Sequence, residues 1–288
     1  MLYGRAGNEG DEPVTQNRAG IAKRAGELLE ALRATRPLVQ NITNFVSMDA
    51  SANALLALGA SPAMVHSAEE SGDFAARADS LVVNTGTLSL PFLEGGETAA
   101  TAAHMLGRPW VLDPVGVGAG RFRNDAVLRL LRHRPKVIRG NPSEILSVAR
   151  VAGLHAGDAT PRGVDSAHST DEALSTAQHL ARHCFCVVAA TGPVDLITDG
   201  ARVVRLANGH ELMTRVTALG CALSAVVAAF CAVEEDAFEA TVSALAVYGV
   251  AGEMAAELAS RPGSYRVAFM DMLDAITAAD VAARLKVL

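Results

Sequence analysis

The sequence predicts an α/β fold: a mostly parallel central sheet with helices on both faces, three layers in all. Three observations carry this. Short apolar runs alternate with segments of helical period along most of the chain. Several of those runs end in small polar residues with Gly or Pro: Asn84-Thr85-Gly86, Asp113-Pro114-Val115-Gly116, Gly140-Asn141-Pro142 and Thr191-Gly192-Pro193. Open α/β sheets gather ligands at such strand ends. Finally, the run from Ala222 to Val233 is small and apolar on nearly every face, which marks a buried helix.

The elements follow in order. Residues 1–17 carry Gly, Asn and acids without periodicity and read as a mobile N-terminal tail. Ile21, Ala25, Leu28, Leu29 and Leu32 repeat at helical spacing over 18–34, and Pro37 closes that helix. Leu38-Val39 opens a short extended piece. Residues 41–48 then read as a loop into a helix at 49–58 that stops at Gly59. Strands are expected at 61–65, 80–83, 109–112 and 136–138, with helices at 91–106 and 123–132 and a short one after Asn141. Residues 153–169 are rich in Gly, Asp and Ser and read as a long loop before a helix at 171–182. A strand over 185–190 would set Cys184 and Cys186 on opposite faces by alternation. Asp199-Gly200 sits between two β runs and signals a hairpin. Helices at 221–233, 237–259 and 264–283 complete the chain.

A chain of 288 residues, 50% hydrophobic, has ample material for a core, and at 4% aromatic that core must be Ala, Val and Leu. A net charge of −6 without a basic cluster argues against a nucleic-acid surface. No apolar run reaches the roughly 18–20 residues that span a bilayer, and the N-terminus lacks an apolar signal core. Cys184, Cys186, Cys221 and Cys231 are too few and too clustered for a disulfide framework, which points to the reducing cytoplasm. The eight His residues include no pair at metal-ligand spacing. Walker, dinucleotide and nucleophile-elbow patterns are absent.

Candidate chemistry sits at the strand ends and at the start of the apolar helix. The turn Thr217-Ala218-Leu219-Gly220 feeds Cys221 at a helix N-terminus, where free N–H groups and the macrodipole favour an anion, most often phosphate. A thiol there is expected to ionise more easily. The plainer alternative is a turn before a core helix, with Cys221 a small hydrophobe. Asp113 offers a metal-facing carboxylate, followed by a Gly-rich turn and Arg123, whose guanidinium can pair with phosphate. Glu144 could hold Mg²⁺, or could close a capping box with Asn141. Thr191 either contacts a nucleotide phosphate or closes a turn, and Met48 either packs in the core or touches an apolar ligand.

Taken together, Gln40-Asn-Ile-Thr-Asn-Phe-Val-Ser-Met48, residues 54–64, Leu112-Asp-Pro-Val-Gly-Val-Gly-Ala119, Val137-Ile-Arg-Gly-Asn-Pro-Ser-Glu144, Gly163-Val-Asp-Ser166, Thr191-Gly192, Asn208-Gly-His210 and Val216-Thr-Ala-Leu-Gly-Cys-Ala-Leu-Ser224 resemble the hydroxyethylthiazole kinases of the ribokinase-like superfamily. The resemblance implies a single ribokinase-like kinase domain over 18–288. It implies phosphorylation of the primary alcohol of 4-methyl-5-(2-hydroxyethyl)thiazole by ATP with Mg²⁺, a salvage step toward thiamine. By the same likeness Cys221 is the catalytic base, Met48 and Ala218 meet the substrate, Arg123 and Thr191 bind ATP, and Asp113 and Glu144 lie at the metal and phosphates. A homotrimer with sites between subunits is implied as well. A kinase for another small alcohol, such as a hydroxymethylpyrimidine or pyridoxal, and a non-catalytic ligand-binding relative are the alternatives. The chain departs from the family's Gly-x-Gly-Cys turn at Ala218 and Leu219, where a positive φ would be costly for Ala.

Overall fold

The computed structural model describes residues 18–154 and 170–288, so the expected tail and nearly all of the expected loop, Gly163–Ser166 included, lie outside the described residues. The chain runs α1 (Arg18–Thr35), β1 (Leu38–Ile42), α2 (Met48–Leu58), β2 (Ser61–Ala63), α3 (Ser71–Ala75), β3 (Ser80–Asn84), α4 (Leu90–Met105), β4 (Trp110–Asp113), α5 (Arg121–Leu131), β5 (Val137–Gly140) and α6 (Pro142–Val151). It continues through α7 (Thr170–Cys184), β6 (Val187–Ala190), β7 (Asp195–Thr198), β8 (Val203–Leu206), a 3₁₀ turn (Glu211–Arg215), α8 (Leu219–Cys231), α9 (Ala237–Leu258), α10 (Pro262–Ala275) and α11 (Ala278–Arg284).

One eight-stranded sheet has the order β2-β1-β3-β4-β5-β6-β7-β8. Pairing is parallel from β2 through β6 and antiparallel at β7 and β8. Alternation along the strands divides the core in two. Val82, Val111, Val137 and Val187 face a core shared with α1, α2, α8, α9, α10 and α11. Leu81, Val83, Trp110, Leu112, Ile138 and Val188 face the other, shared with α4, α5, α6 and α7. The expected three layers are therefore present. The parallel strands send their carboxyl ends to one rim, which carries the four Gly/Pro motifs.

Local chemistry explains where the boundaries fall. Gly59 ends α2 at φ 97, and its N–H together with that of Ala60 caps the last carbonyls. Polar Asn41, expected in a loop, belongs to β1, as does Gln40 before it. Gln40 Nε2 donates to the Val65 and Ser71 carbonyls at 2.9 and 3.1 Å, so the amide nitrogen is satisfied although the residue is buried, while its oxygen has no partner. The expected helix at 264–283 is two helices. Thr277 and Asp280 form a capping box that starts α11 behind the buried Ile276.

Cys184 and Cys186 do not alternate along a strand. Cys184 ends α7, Phe185 takes φ 54, and β6 begins only at Val187. The bend turns both thiols to one side, where they hydrogen-bond to each other, and burial helps push the Cys186 thiol up. Among the described residues no helix is long and apolar enough to cross a membrane.

Phe185 holds a left-handed conformation while its side chain is 87% exposed, so it carries backbone strain with little packing in return. Phe185→Asn, which tolerates that region, is expected to stabilise the protein by about 0.5–1 kcal/mol. Urea denaturation with an unchanged m-value is the check.

Candidate active site

The apolar run expected to form a buried helix does so, as α8. Every residue of α8 except Gly220 and Cys221 is buried. The helix packs between β3 and β4 on one side and α2 and α9 on the other, so its body cannot shift without opening the core. Its first turn emerges at the rim. Tyr248 Oη, from buried α9, donates to the Leu219 carbonyl at 2.7 Å and fixes the turn from beneath. Ala218 caps the helix at φ 69, ψ −3. The left-handed conformation that would burden Ala is thus the one it adopts, at a cost of roughly 1–2 kcal/mol.

A buried polar network joins this turn to the strand ends. Asp113 and Asn84 are paired in register across β3 and β4. Asn84 Nδ2 donates to Asp113 Oδ2 at 2.6 Å, and Ser224 Oγ, one turn along α8 from Cys221, donates to the same oxygen at 2.8 Å. Asn44 Nδ2 donates to Asn84 Oδ1 at 2.9 Å and to Cys221 Sγ at 3.3 Å. Gly86 makes the approach feasible, because a Cβ there would sit 2.6 Å from that same Asn44 nitrogen. Asn44 Oδ1 in turn accepts from the Ser47 N–H at 3.1 Å, one residue before Met48 opens α2.

Burial sets the protonation of both key groups. Asp113 is fully buried and its pKa is pushed up to about 6 by desolvation, against the opposing pull of Arg139 and of its Ser224 and Asn84 hydrogen bonds. Its Oδ1 is buried with no hydrogen-bond partner. The Cys221 thiol is raised, first by burial and then by the negative charge of Asp113. The bond from Asn44 and the charge of Arg139 oppose this without overcoming it. The expectation of a lowered pKa is therefore corrected: desolvation and a neighbouring like charge raise it.

The remaining candidates share the rim but differ in engagement. Glu144 forms the capping box with Asn141: its Oε2 accepts from the Asn141 N–H at 2.9 Å, and the Asn141 side chain accepts from the Glu144 N–H. Its Oε1 accepts from the Gly116 N–H at 3.1 Å, and its charge reaches Asp113. The capping and site readings are thus compatible. One capping bond and one from the Gly116 N–H leave lone pairs on a half-buried carboxylate.

Arg123 crosses the Gly-rich loop and donates to the carbonyls of Thr85, Gly86 and Val115. Nε and one Nη2 hydrogen remain for a ligand. Thr191 accepts a hydrogen bond from Arg139, whose other nitrogen donates to the Gly220 carbonyl at 2.9 Å. Met48 is half-buried and packs on the core beneath the sheet's other face. Phe45 and Val46, beside it, stand 67% and 58% exposed. A separate groove of about 590 Å³, lined by Asp49, Asn53, Arg266 and Met270 among others, contains none of the candidates.

The sequence assigns no role to Asn44, Ser224 or Arg139, and marks Asn84 only as part of the strand-end motif Asn84-Thr85-Gly86. One signal was available for Ser224: a serine inside an otherwise apolar helix must find a partner when buried. Asn84 depends on strand register, which one sequence does not reveal.

For a divalent cation the donor set fits. Mg²⁺ is usually held by one or two carboxylates plus waters and substrate phosphates, not by a full protein cage. Asp113 Oδ1 is an orphaned buried acceptor, and Glu144 lies close enough for its charge to be felt there. Among the described residues no three-ligand cluster exists, as that mode of binding allows.

Known proteins match this chain along nearly its whole length. The model of the hydroxyethylthiazole kinase family matches residues 29–279. A hydroxyethylthiazole kinase of Cereibacter sphaeroides is 54% identical over 258 residues, covering 90% of this chain and 96% of that protein. One from Rhizobium johnstonii is 49% identical, covering 91% and 96%. The solved structure of a hydroxyethylthiazole kinase protein from Pyrococcus horikoshii OT3 superposes with a TM-score of 0.85 at 41% identity, over 92% of this chain and 98% of that one. A pyridoxal kinase of Staphylococcus aureus, at 16% identity and a TM-score of 0.52 over 76% and 88%, shares the fold alone. On these matches and on its eight-stranded three-layer architecture, the chain belongs to the hydroxyethylthiazole kinase family.

Proposed function

We propose that this chain transfers the γ-phosphoryl group of ATP to the primary alcohol of 4-methyl-5-(2-hydroxyethyl)thiazole, a salvage step toward thiamine. The observation that carries the reading is the convergence of the α8 first turn, Cys221 and the buried Asp113–Asn84–Ser224 network on one rim, in a chain half identical to proteins of that name.

The thiazole ring lies near Met48 and the Ala218 turn, with its hydroxyl toward Cys221. Arg123 and Thr191 hold the nucleotide phosphates. Asp113 and Glu144 hold Mg²⁺, which when bound offsets charge on the transferring phosphates. Transfer through a loose transition state needs positioning and charge stabilisation more than an early base. The N–H groups of the α8 first turn supply stabilisation without reorganising. Cys221 accepts the hydroxyl proton late. We propose further that residues 18–288 act as one catalytic domain, that the protein works in the cytoplasm, and that it is a homotrimer with sites between subunits. Four free thiols support the second point, and exposed Phe45 and Val46 beside Met48 support the third.

Three outcomes are expected. Purified protein with ATP and Mg²⁺ phosphorylates the thiazole alcohol at least tenfold faster, by kcat/KM, than hydroxymethylpyrimidine or pyridoxal in a coupled ADP assay; no turnover, or a reversed order, sinks the reading.

Because the Cys221 thiol is raised, the active thiolate is scarce at neutral pH, so kcat climbs with pH through the alkaline range and falls as the thiol reprotonates below it. Cys221→Ser slows transfer by roughly 10–10³-fold. Cys221→Asp keeps or raises activity and flattens the alkaline rise. Full activity in Cys221→Ala removes the base role.

Asp113, raised to about 6 from 3.8, is more easily protonated folded than unfolded. Its contribution to stability is therefore unfavourable at neutral pH and is relieved as pH falls toward 4. Asp113→Asn is expected to stabilise metal-free protein at pH 7 by about 1–3 kcal/mol while abolishing turnover. Urea melts at pH 7 and pH 4, beside the kinase assay, test both halves.

A further inference from the structure

Cys184 and Cys186 lie one residue apart where α7 turns into β6, at the end of that strand opposite the rim. The turn between them has a defined form. Phe185 takes φ 54, and the Cys186 N–H donates to the Ala181 carbonyl at 3.1 Å. Together these make a Schellman ending, with Phe185 in the left-handed place that glycine normally fills. The reversal sets both side chains against the same core: Cys186 is buried in it, and half-buried Cys184 packs on it. Extended backbone would have sent the two thiols to opposite faces. Here they hydrogen-bond to each other. A residue in the left-handed helical region leaves the Cα atoms that flank it about 5.4 Å apart. That lies inside the roughly 4.4–6.8 Å a disulfide requires.

The two thiols differ. The hydrogen bond from Cys186 draws the Cys184 thiol down, against burial. The same bond, burial and the charge of Cys184 push the Cys186 thiol up. The dipole at a helix carboxyl end opposes a thiolate, so the neighbouring thiol is what favours it. Capping the Cys184 sulfur removes the bond and the charge that raise Cys186, so reaction at the first thiol prepares the second. Access divides the same way. Cys184 stands beside the exposed Arg182, whose charge favours an anionic reagent, whereas Cys186 is 7% exposed.

We propose that Cys184 and Cys186 form a thiol-modification site that reacts reversibly with a low-molecular-weight anionic disulfide, of which oxidised glutathione is the probe. The Cys184 thiolate attacks one sulfur of the reagent. The reagent's S–S bond breaks, a bond from Cys184 to that sulfur forms, and one small thiol leaves with the proton Cys184 gave up. Cys186, deprotonated, then attacks the Cys184 sulfur and expels the second small thiol with its proton. Two protein thiols are oxidised to one disulfide, and the reagent is reduced to two thiols. The bridge encloses a single residue, so it constrains the unfolded chain little and gains little stability. A disulfide without that gain is readily reduced, as regulatory ones are. The site is independent of the kinase reading.

The test exposes the full folded chain to millimolar oxidised glutathione, quenches it in acid and maps tryptic peptides. Cleavage after Arg182 and Arg202 separates Cys184 and Cys186 from Cys221 and Cys231. The 183–202 peptide should lose the mass of two hydrogens, at a rate at least about tenfold above any change at Cys221. Excess reduced glutathione should restore both thiols. Cys186→Ser should stop with one glutathione on Cys184, and Cys184→Ser should leave Cys186 unmodified.

A 183–202 peptide that stays reduced, reacts no faster than Cys221, or keeps its bridge in excess reduced glutathione overturns the proposal. So does an adduct on Cys186 in Cys184→Ser, or a folded Cys186→Ser variant with Cys184 unmodified. The wild-type measurements decide the matter alone if Cys186→Ser does not fold.

Discussion

One buried carboxylate governs the geometry of the site. Asp113 sits at the end of β4, fully out of water, and accepts from a β3 side chain and an α8 side chain on the same oxygen. A buried charge is tolerable only where donors surround it. That requirement ties two strand ends to the first turns of α8 more firmly than apolar packing, which would tolerate a slide. The partial compensation shows in the raised pKa and in the second oxygen, which nothing satisfies. Stability has been given up at the point where a ligand can return it.

The rest of the fold prepares that arrangement. α8 can be buried on all sides because it is built mostly of small apolar residues and lies between the sheet, at β3 and β4, and the helices α2 and α9. Its first turn is then pinned from three directions: Tyr248 from beneath, Arg139 from the strand beside it, and Asn44 from the loop before α2. Gly220 and Cys221 are the residues of that helix left partly open, which gives the turn its exposed N–H groups.

The layer architecture was readable because parallel strands buried on both faces write themselves as short apolar runs, and Gly59, Asp199-Gly200 and Pro37 punctuate them. Asn41 reads as loop from sequence because polarity at a strand end signals a ligand rim as strongly as it signals a turn. Phe185 hid a bend that alternation does not foresee. Within the site, the residue types at Asp113, Glu144 and Cys221 were legible. The partners that tune them were not: Asn84 needs the register, Asn44 needs the fold, and Arg139 lies just past the strand expected at 136–138. The sign of the Cys221 shift was lost for the same reason. A dipole can be inferred from a helix start, but desolvation and the charge of Asp113 exist only in three dimensions.

Ala218 brings these threads together. Glycine would take φ 69 at no steric cost, whereas alanine takes it at roughly 1–2 kcal/mol, so something outweighs that strain. The next residue supplies a reason. Leu219 is buried in the main core, and its carbonyl receives the Tyr248 hydroxyl. A buried leucine of this kind gains roughly 1.5–3 kcal/mol over an exposed one, enough to cover the strain of its neighbour. The pair therefore reads as one compensated unit: Leu219 anchors the turn inward, and Ala218 is forced left-handed to reach the cap. Ala218, itself partly buried, packs against that same core, so the strained residue and its buried neighbour together fix the turn that leads to Cys221.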